Sequence, residues 1–292
     1  MPDFTVHLVG GVPLSSAEEV FATASAILGP ALPRIPDGEV GRRWMAWFAP
    51  IITENPGLLK TDEEFRPHPE GDPSFRYVLA PGRKAGDVTF TNLRHAEITL
   101  ASYAIFRRLK EAGTIARNVR FQCTLAHPIP IIRRYFPEDL QAALEPALER
   151  ALLAEVKKIV DAIPHSELAI QWDCASAIFA TLELGKPSRF GARREDMYGP
   201  LASRLARFGD AVPDGVDLIY HFCYGNSRGR HSVEPSSTRD AVMMAHAVRA
   251  ALRPARSIEL IHLPVPIARD DAAYYEPLRD LRLPRSEEHT SE

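Results

Sequence analysis

The chain has 292 residues, of which 45% are hydrophobic, so it can bury one large core. Its formal net charge is only -3, which gives no reason to expect a nucleic acid or an anionic membrane surface as a partner. The three cysteines, Cys123, Cys174 and Cys223, are far apart and odd in number, which favours a reducing, cytoplasmic location over a disulfide framework. The sequence has no run of about 18 apolar residues, so it predicts no membrane partner.

Strand-like and helix-like segments alternate along the chain. Short apolar or β-branched runs that end in turn residues predict strands, and these lie at 4–9, 34–35, 119–125, 168–173, 216–223 and 258–262. Apolar residues at helical spacing predict helices, which we place at 16–28, from about 44, and at 93–112, 138–163, 200–208 and 238–252. Residues 54–90 are rich in proline, glycine and charge, and they predict a long insertion with one hairpin, 75–79 against 88–91.

This alternation predicts one α/β domain over residues 1–284. Strands about 30–45 residues apart with helices between them form parallel βα units. Ionisable residues end or follow several of these strands, which is the position of the active-site rim in a (β/α)8 barrel; they are Glu39, Asp173, His221, Cys223 and His262. A Rossmann domain is disfavoured because residues 10–13 lack the third glycine of its phosphate-binding turn. The predicted fold class is therefore α/β, similar to a (β/α)8 TIM barrel.

The strand at 216–223 ends in a His-x-Cys pair. Side chains at i and i+2 of a strand project to the same face, so His221 and Cys223 point the same way. Imidazole nitrogen and thiolate sulfur are typical zinc ligands. The same pattern fits a buried cysteine beside a hydrogen-bonded histidine. We favour the metal-site interpretation, because several other predicted strands also end in polar or ionisable residues.

Four short motifs follow one another along the chain, each at the end of a predicted strand. Residues 9–13 read Val-Gly-Gly-Val-Pro, 37–39 read Asp-Gly-Glu, 171–173 read Gln-Trp-Asp and 221–224 read His-Phe-Cys-Tyr. In this order they resemble motifs of the C-terminal barrel of cobalamin-independent methionine synthase and its relatives in the uroporphyrinogen decarboxylase/methionine synthase-like superfamily. The first motif departs from that family, because Gly11 replaces its serine.

The resemblance implies a zinc site that includes His221 and Cys223. The third zinc ligand in the family is a glutamate at the end of the following strand, and here that strand offers Glu259 or His262. These two residues point to opposite faces of a strand. We prefer His262 because it lies nearer the rim, although a histidine that is hydrogen-bonded to the following loop fits the same position.

The resemblance also implies a substrate site formed by Gly11, Glu39 and Asp173, with the two carboxylates holding the ammonium group of an amino-acid thiol. The implied function is zinc-dependent methyl or alkyl transfer, with Zn2+ as cofactor and a small-molecule thiol and an alkyl donor as partners. A metal-independent lyase like uroporphyrinogen decarboxylase and a non-catalytic barrel that binds a small ligand are the alternatives. Zinc stoichiometry separates the first function from the other two.

The end of the sequence predicts an incomplete barrel. In the resembling family, further strands follow the equivalent of residues 281–284, so we expect one or more strands to be missing and the barrel to be open. The last eight residues, 285–292, resemble a translation of a common sequencing-adapter DNA, and we expect them to be a non-native tail.

Overall fold

A curled, parallel five-stranded sheet organises the chain. The computed structural model describes residues 4–42, 45–66, 73–225, 231–266 and 269–282. In chain order the strands are β1 (Arg34–Pro36), β2 (Leu58–Phe65), β3 (Ser74–Leu79), β4 (Arg120–Ala126), β5 (Leu168–Cys174), β6 (Asp217–Phe222) and β7 (Leu260–His262). The main sheet has the order β1-β4-β5-β6-β7 with every neighbouring pair parallel, and β2 and β3 form a separate antiparallel hairpin. A mixed α/β fold with parallel pairing is therefore confirmed.

The helices connect the parallel strands and cover their outer face. They are α1 (Ala17–Leu28), α2 (Phe48–Thr53), α3 (His95–Glu111), α4 (Pro128–Tyr135), α5 (Glu138–Ala162), α6 (Ser176–Leu184), α7 (Arg194–Asp210), α8 (Arg239–Ala251) and α9 (Ala272–Tyr275). Alternate residues of β5, including Ile170 and Trp172, belong to the hydrophobic core that the helices complete. The Trp172 ring lies edge-on to Phe208 of α7, with ring centres 4.7 Å apart. No helix among the described residues has the length and apolar character needed to cross a bilayer.

The sheet is curled into a half-barrel. Strands lie about 4.8 Å apart, so a flat sheet would put β1 roughly 14 Å from β6 and roughly 19 Å from β7. Arg34 of β1 nevertheless forms ion pairs with Asp217 of β6 at 3.7 Å and with Glu259, just before β7, at 3.1 Å. Arg120 of β4 reaches Asp217 as well, at 3.2 Å. These pairs require the N-terminal ends of the strands to approach one another across a concave face.

The prediction of a strand at 4–9 is wrong. These residues have no strand assignment, and they lie against the concave face of the sheet. The side chain of Gln122 donates to the carbonyls of Leu8 and Val9 at 2.9 and 3.2 Å, and Gln171 donates to Val9 at 2.6 Å. Because side-chain amides on the concave face donate hydrogen bonds to these carbonyls, the segment lies inside the half-barrel and does not extend the sheet.

The insertion at 54–90 contains a hairpin, and one of its two predicted strands, 75–79, is confirmed, whereas the predicted partner at 88–91 is wrong. Ser74–Leu79 pairs with Leu58–Phe65, and residues 88–91 form no strand. Arg76 of β3 donates to the carbonyls of Arg133 and Arg134 at 2.6 and 2.8 Å, which fastens the hairpin to the C-terminal end of α4. The expected adapter-derived tail at 285–292 lies outside the described residues.

Candidate functional site

Three neighbouring strands carry polar side chains on the concave face at their C-terminal ends. In register, Asp173 of β5 pairs with His221 of β6, and His221 pairs with His262 of β7. The Nδ1 atoms of His221 and His262 are 2.8 Å apart, so one ring donates its N–H to the other. The parallel pairing of neighbouring strands thus brings together three of the six predicted site residues.

His7 joins this group from the segment at 4–9. Its Nε2 is 2.9 Å from Oε1 of Gln171, and its ring centre is 5.6 Å from that of His262. Sequence reasoning missed His7, because a single histidine in a β-branched run gives no local sign of a site. Only the position of the segment inside the half-barrel reveals it.

Burial keeps the three imidazoles neutral. Burial, with smaller contributions from His262 and His7, lowers the pKa of His221 to about 3. Burial and the nearby His262 lower the pKa of His7 to about 4, against the hydrogen bond that His7 donates to Gln171, which favours the charged form. Burial also lowers the pKa of His262. Each ring therefore has one nitrogen lone pair at neutral pH for a hydrogen bond or a metal.

Cys223 directly follows β6, and both its backbone and its thiol form hydrogen bonds. Its backbone N–H donates to the carbonyl of Cys174 at 3.1 Å, and its Sγ accepts the N–H of Gly225 at 3.2 Å. Burial raises the pKa of the Cys223 thiol, the Gly225 hydrogen bond opposes this, and the charge of Asp173 adds to it. In the absence of a cation the thiol is protonated at neutral pH.

The side chains of His221, His262 and Cys223 are suitable zinc ligands by residue type, but their arrangement fits a zinc ion only partly. Neutral imidazoles and a cysteine are suitable ligands. Within the described residues, however, no group of three or more His, Cys, Asp and Glu side chains is arranged to hold a metal ion. His221 and His262 supply two facing nitrogens. Glu259, the alternative to His262, is instead paired with Arg34 at 3.1 Å, away from the histidine pair.

Glu39 lies beside the glycines of the first motif. A Cβ atom added to Gly10 would be 2.9 Å from Oε1 of Glu39, and one added to Gly11 would be 3.9 Å from Oε2. The structure therefore brings Gly11 and Glu39 together, as the resemblance implies. Glu39 has a φ of 53°, a left-handed conformation that is strained for a residue with a Cβ and that is enriched at functional sites.

A network of hydrogen bonds holds the Glu39 loop in place. Asp37 accepts both terminal nitrogens of Arg42 and the backbone N–H of Glu39, the latter at 3.1 Å. Burial raises the pKa of Glu39, Arg42 opposes the shift, and Asp37 adds to it. The adjoining cavity, whose walls include Glu39, Trp47 and His95, has a volume of about 40 Å³.

Gln171 connects the histidine group to the loop that carries Glu39. Its Nε2 donates to Oδ1 of Asp173 at 2.8 Å and to the carbonyl of Val9 at 2.6 Å, while its Oε1 lies 2.9 Å from Nε2 of His7. Val9 directly precedes the glycines that contact Glu39. A continuous set of contacts therefore runs from the histidine pair to Glu39.

A comparison with protein family models gives no match to this chain, and a comparison with curated proteins gives none either.

Proposed function

We propose that this chain is a zinc-dependent methyl- or alkyltransferase that acts on a small-molecule thiol, related to methionine synthase and built on a fold like the (β/α)8 barrel. The observation that carries the proposal is the pair of neutral, facing histidines, His221 and His262, beside Asp173 on the concave face. Two such nitrogens at the C-terminal ends of neighbouring parallel strands are suited to bind a metal where α/β barrels place their active sites.

In this proposal, His221 and Cys223 hold the zinc ion, as the resemblance implies, and His262 takes the place of the family's glutamate. When bound, zinc supplies a positive charge that lowers the pKa of a coordinated thiol and keeps it as a thiolate near neutral pH. The histidines need no deprotonation to act as ligands, because burial already keeps His221 neutral, with its pKa at about 3. Cys223 has to lose its proton and leave the N–H of Gly225.

Asp173 and Glu39 orient the substrate through its ammonium group. Gln171 fixes one oxygen of Asp173 through a hydrogen bond of 2.8 Å. Glu39 is held against Gly10 and Gly11, where a serine side chain in place of Gly11 would reduce the space. An ammonium group beside Glu39 would favour the ionised carboxylate and so offset the pKa increase that burial causes. Fixing the amino acid in this way aligns its thiol for in-line attack on the alkyl donor.

One observation favours a metal-independent function as the second candidate. The His221–His262 hydrogen bond satisfies one nitrogen of each ring without an ion, and no three-ligand group is arranged among the described residues. A lyase like uroporphyrinogen decarboxylase, or a barrel that only binds a small ligand, needs no more than these polar groups. Such a protein would bind its ligand equally well after exhaustive treatment with a chelator.

The test is a titration of purified protein with zinc and then with cysteine or homocysteine as the thiol probe. We expect about one zinc per chain, and release of about one proton per thiol bound at pH 7, because a thiol binds zinc as its thiolate. Calorimetry in buffers of different ionisation enthalpy measures the proton count. The His221→Ala variant should lose both signals, whereas Asp173→Asn should keep zinc and bind the thiol more weakly. A wild-type protein that retains no zinc after dialysis contradicts the proposal.

A further inference from the structure

The cavity beside Glu39 combines a carboxylate with three aromatic rings. Its walls include Glu39, Arg42, Trp47, Phe48 and His95. The ring centre of His95 lies 6.1 Å from that of Trp47 and 5.5 Å from that of Phe48, so the three rings form one continuous aromatic wall. Aromatic rings attract cations, and a carboxylate beside them adds to this attraction. The residue types around the cavity therefore suit an organic cation.

The charges around this cavity also favour a cation. Both terminal nitrogens of Arg42 bind the oxygens of Asp37, so these two charges balance each other. Burial lowers the pKa of His95 to about 4, so this ring is neutral at pH 7. The carboxylate of Glu39 accepts no hydrogen bond from any residue that the structure describes. The net charge that faces the cavity is therefore that of the ionised Glu39.

The walls of the cavity favour a cation without N–H groups. The hydroxyls of Thr99 and Thr124 already take part in hydrogen bonds of 3.5 Å, and Leu125 adds an apolar side chain. A primary ammonium group has three N–H donors, and beside Glu39 it would leave water for few acceptors among these wall residues. A fully methylated ammonium has no N–H donor to satisfy, and aromatic rings bind such groups well.

A second, larger cavity shares Trp47 with the first. Its volume is about 570 Å³, and its walls include Ile51, Asn92 and Arg94. Three non-glycine residues of the described structure have a left-handed φ, namely Glu39 at 53°, Asn92 at 56° and Arg94 at 58°. Each of them lines one of the two cavities. Because this backbone conformation is enriched at functional sites, its position here agrees with a ligand that spans both cavities.

We propose that the two cavities form one binding site for a methylated ammonium compound. The cationic head group lies between Glu39 and the aromatic wall, and the rest of the molecule lies in the larger cavity beside Ile51, with Trp47 in contact with both parts. The site goes beyond the proposed function and does not depend on zinc. It assigns Glu39 to this cation in place of the ammonium group of the amino-acid thiol, and it leaves that ammonium group to Asp173.

Two matched ligands test the preference for a methylated head group. Hexyltrimethylammonium and hexylammonium have the same charge and the same chain, and they differ only in three N-methyl groups. Calorimetry with the full chain, in the presence of a chelator, should give a dissociation constant at least ~10-fold lower for the methylated ion, because it gains cation–π attraction and leaves no N–H group without an acceptor. Shortening its chain to pentyl should weaken binding about 4-fold, the effect of one buried CH2 group.

Matched variants test the location of the site. Trp47→Leu and Glu39→Gln should each weaken binding of hexyltrimethylammonium by at least ~5-fold, since each removes one of the two sources of attraction. Glu111→Gln is the control and should bind like the wild type. Glu111 is exposed, and it lies at the opposite end of α3 from His95, about 24 Å away. Circular dichroism checks that each variant is folded.

Three results would overturn the proposal. They are equal or tighter binding of hexylammonium, binding of the methylated ion that survives both Trp47→Leu and Glu39→Gln, and a wild type that binds neither ion. These results leave the proposed transferase intact, because the assay contains no free zinc. A wild type that binds the methylated ion and retains no zinc after dialysis contradicts the transferase and supports the cation site.

Discussion

Replacing His127 with asparagine should make the fold less sensitive to acid. His127 is fully buried, and it caps the N-terminus of α4 by accepting the N–H of Ile129 on its Nδ1 at 3.3 Å. Its Nε2 lies 3.4 Å from the carbonyl of Arg204. Burial is the main cause that lowers the pKa of His127 to about 3, and the charge of Arg204 contributes to the decrease. Asparagine keeps an acceptor for the cap but does not titrate in this range.

The sign and size of the effect follow from the two pKa values of His127. The pKa is about 6.5 in the unfolded chain and about 3 in the folded one, so this histidine stabilises the fold above pH 6.5 and the stability is lost as the pH falls toward 3. At pH 4.5 the unfolded chain has bound the proton and the folded protein has not. The lost stability between pH 7 and pH 4.5 is roughly 2–3 kcal/mol.

Urea denaturation followed by circular dichroism at pH 7 and pH 4.5 measures this difference. Chelator is included in every sample, so that release of a metal does not contribute. The decrease in unfolding free energy between the two pH values should be smaller in His127→Asn than in the wild type by roughly 2–3 kcal/mol. His165→Asn, at an exposed position, should show the same decrease as the wild type because water solvates that ring in both states. Equal decreases in the wild type and His127→Asn would refute the reasoning.

Four further substitutions test the contacts of Glu39 and the ion pairs of Arg34. Gly10→Ala places a Cβ 2.9 Å from Oε1 of Glu39 and should lower the unfolding free energy by about 1–3 kcal/mol. Gly11→Ala, whose Cβ has more space, should change it by less than ~0.5 kcal/mol. Equal effects of the two substitutions would contradict the close approach of Glu39 to Gly10. Burial raises the pKa of Glu39, so the fold disfavours its ionised carboxylate at pH 7. Glu39→Gln removes this charge and should therefore raise the melting temperature at pH 7, with little effect below about pH 4.5, where the carboxyl is protonated in both states. A lower melting temperature of the variant at pH 7 would show that the ionised Glu39 does not destabilise the fold. Arg34→Met removes a cation that pairs with Asp217 and Glu259, whereas Arg120 still pairs with Asp217, so it should destabilise the fold by roughly 1–3 kcal/mol in urea denaturation; an unchanged midpoint would show that the half-barrel closes without the Arg34 pairs.

Elements with a strong local pattern were predictable from the sequence. Ser16 caps α1 by accepting the N–H of Glu19, and Glu18 and Glu19 lie in its first turn, where acids are favourable. The strand predicted at 168–173 is observed as Leu168–Cys174, with Asp173 near its C-terminal end as expected. These features depend on residues that are close together in the chain, so they can be predicted from the sequence.

Elements that depend on distant partners were not predictable. Residues 4–9 have the composition of a strand, but Gln122 and Gln171, more than a hundred residues away, bind their carbonyls. The hairpin strand Leu58–Phe65 is largely exposed and charged, so it shows no apolar alternation. Its place is decided by pairing with Ser74–Leu79. His7 enters the candidate site for the same reason, because only the curl of the sheet brings it to His262.

The most direct test of the proposed transferase is X-ray absorption at the zinc edge, recorded with and without an amino-acid thiol. The account predicts that zinc remains bound and that adding homocysteine adds one sulfur neighbour at roughly 2.3 Å, the distance of a zinc–thiolate bond. The Asp173→Asn variant should need a higher thiol concentration to show the same change. A protein without bound zinc, or a zinc whose sulfur neighbours do not change when the thiol is added, would contradict the account.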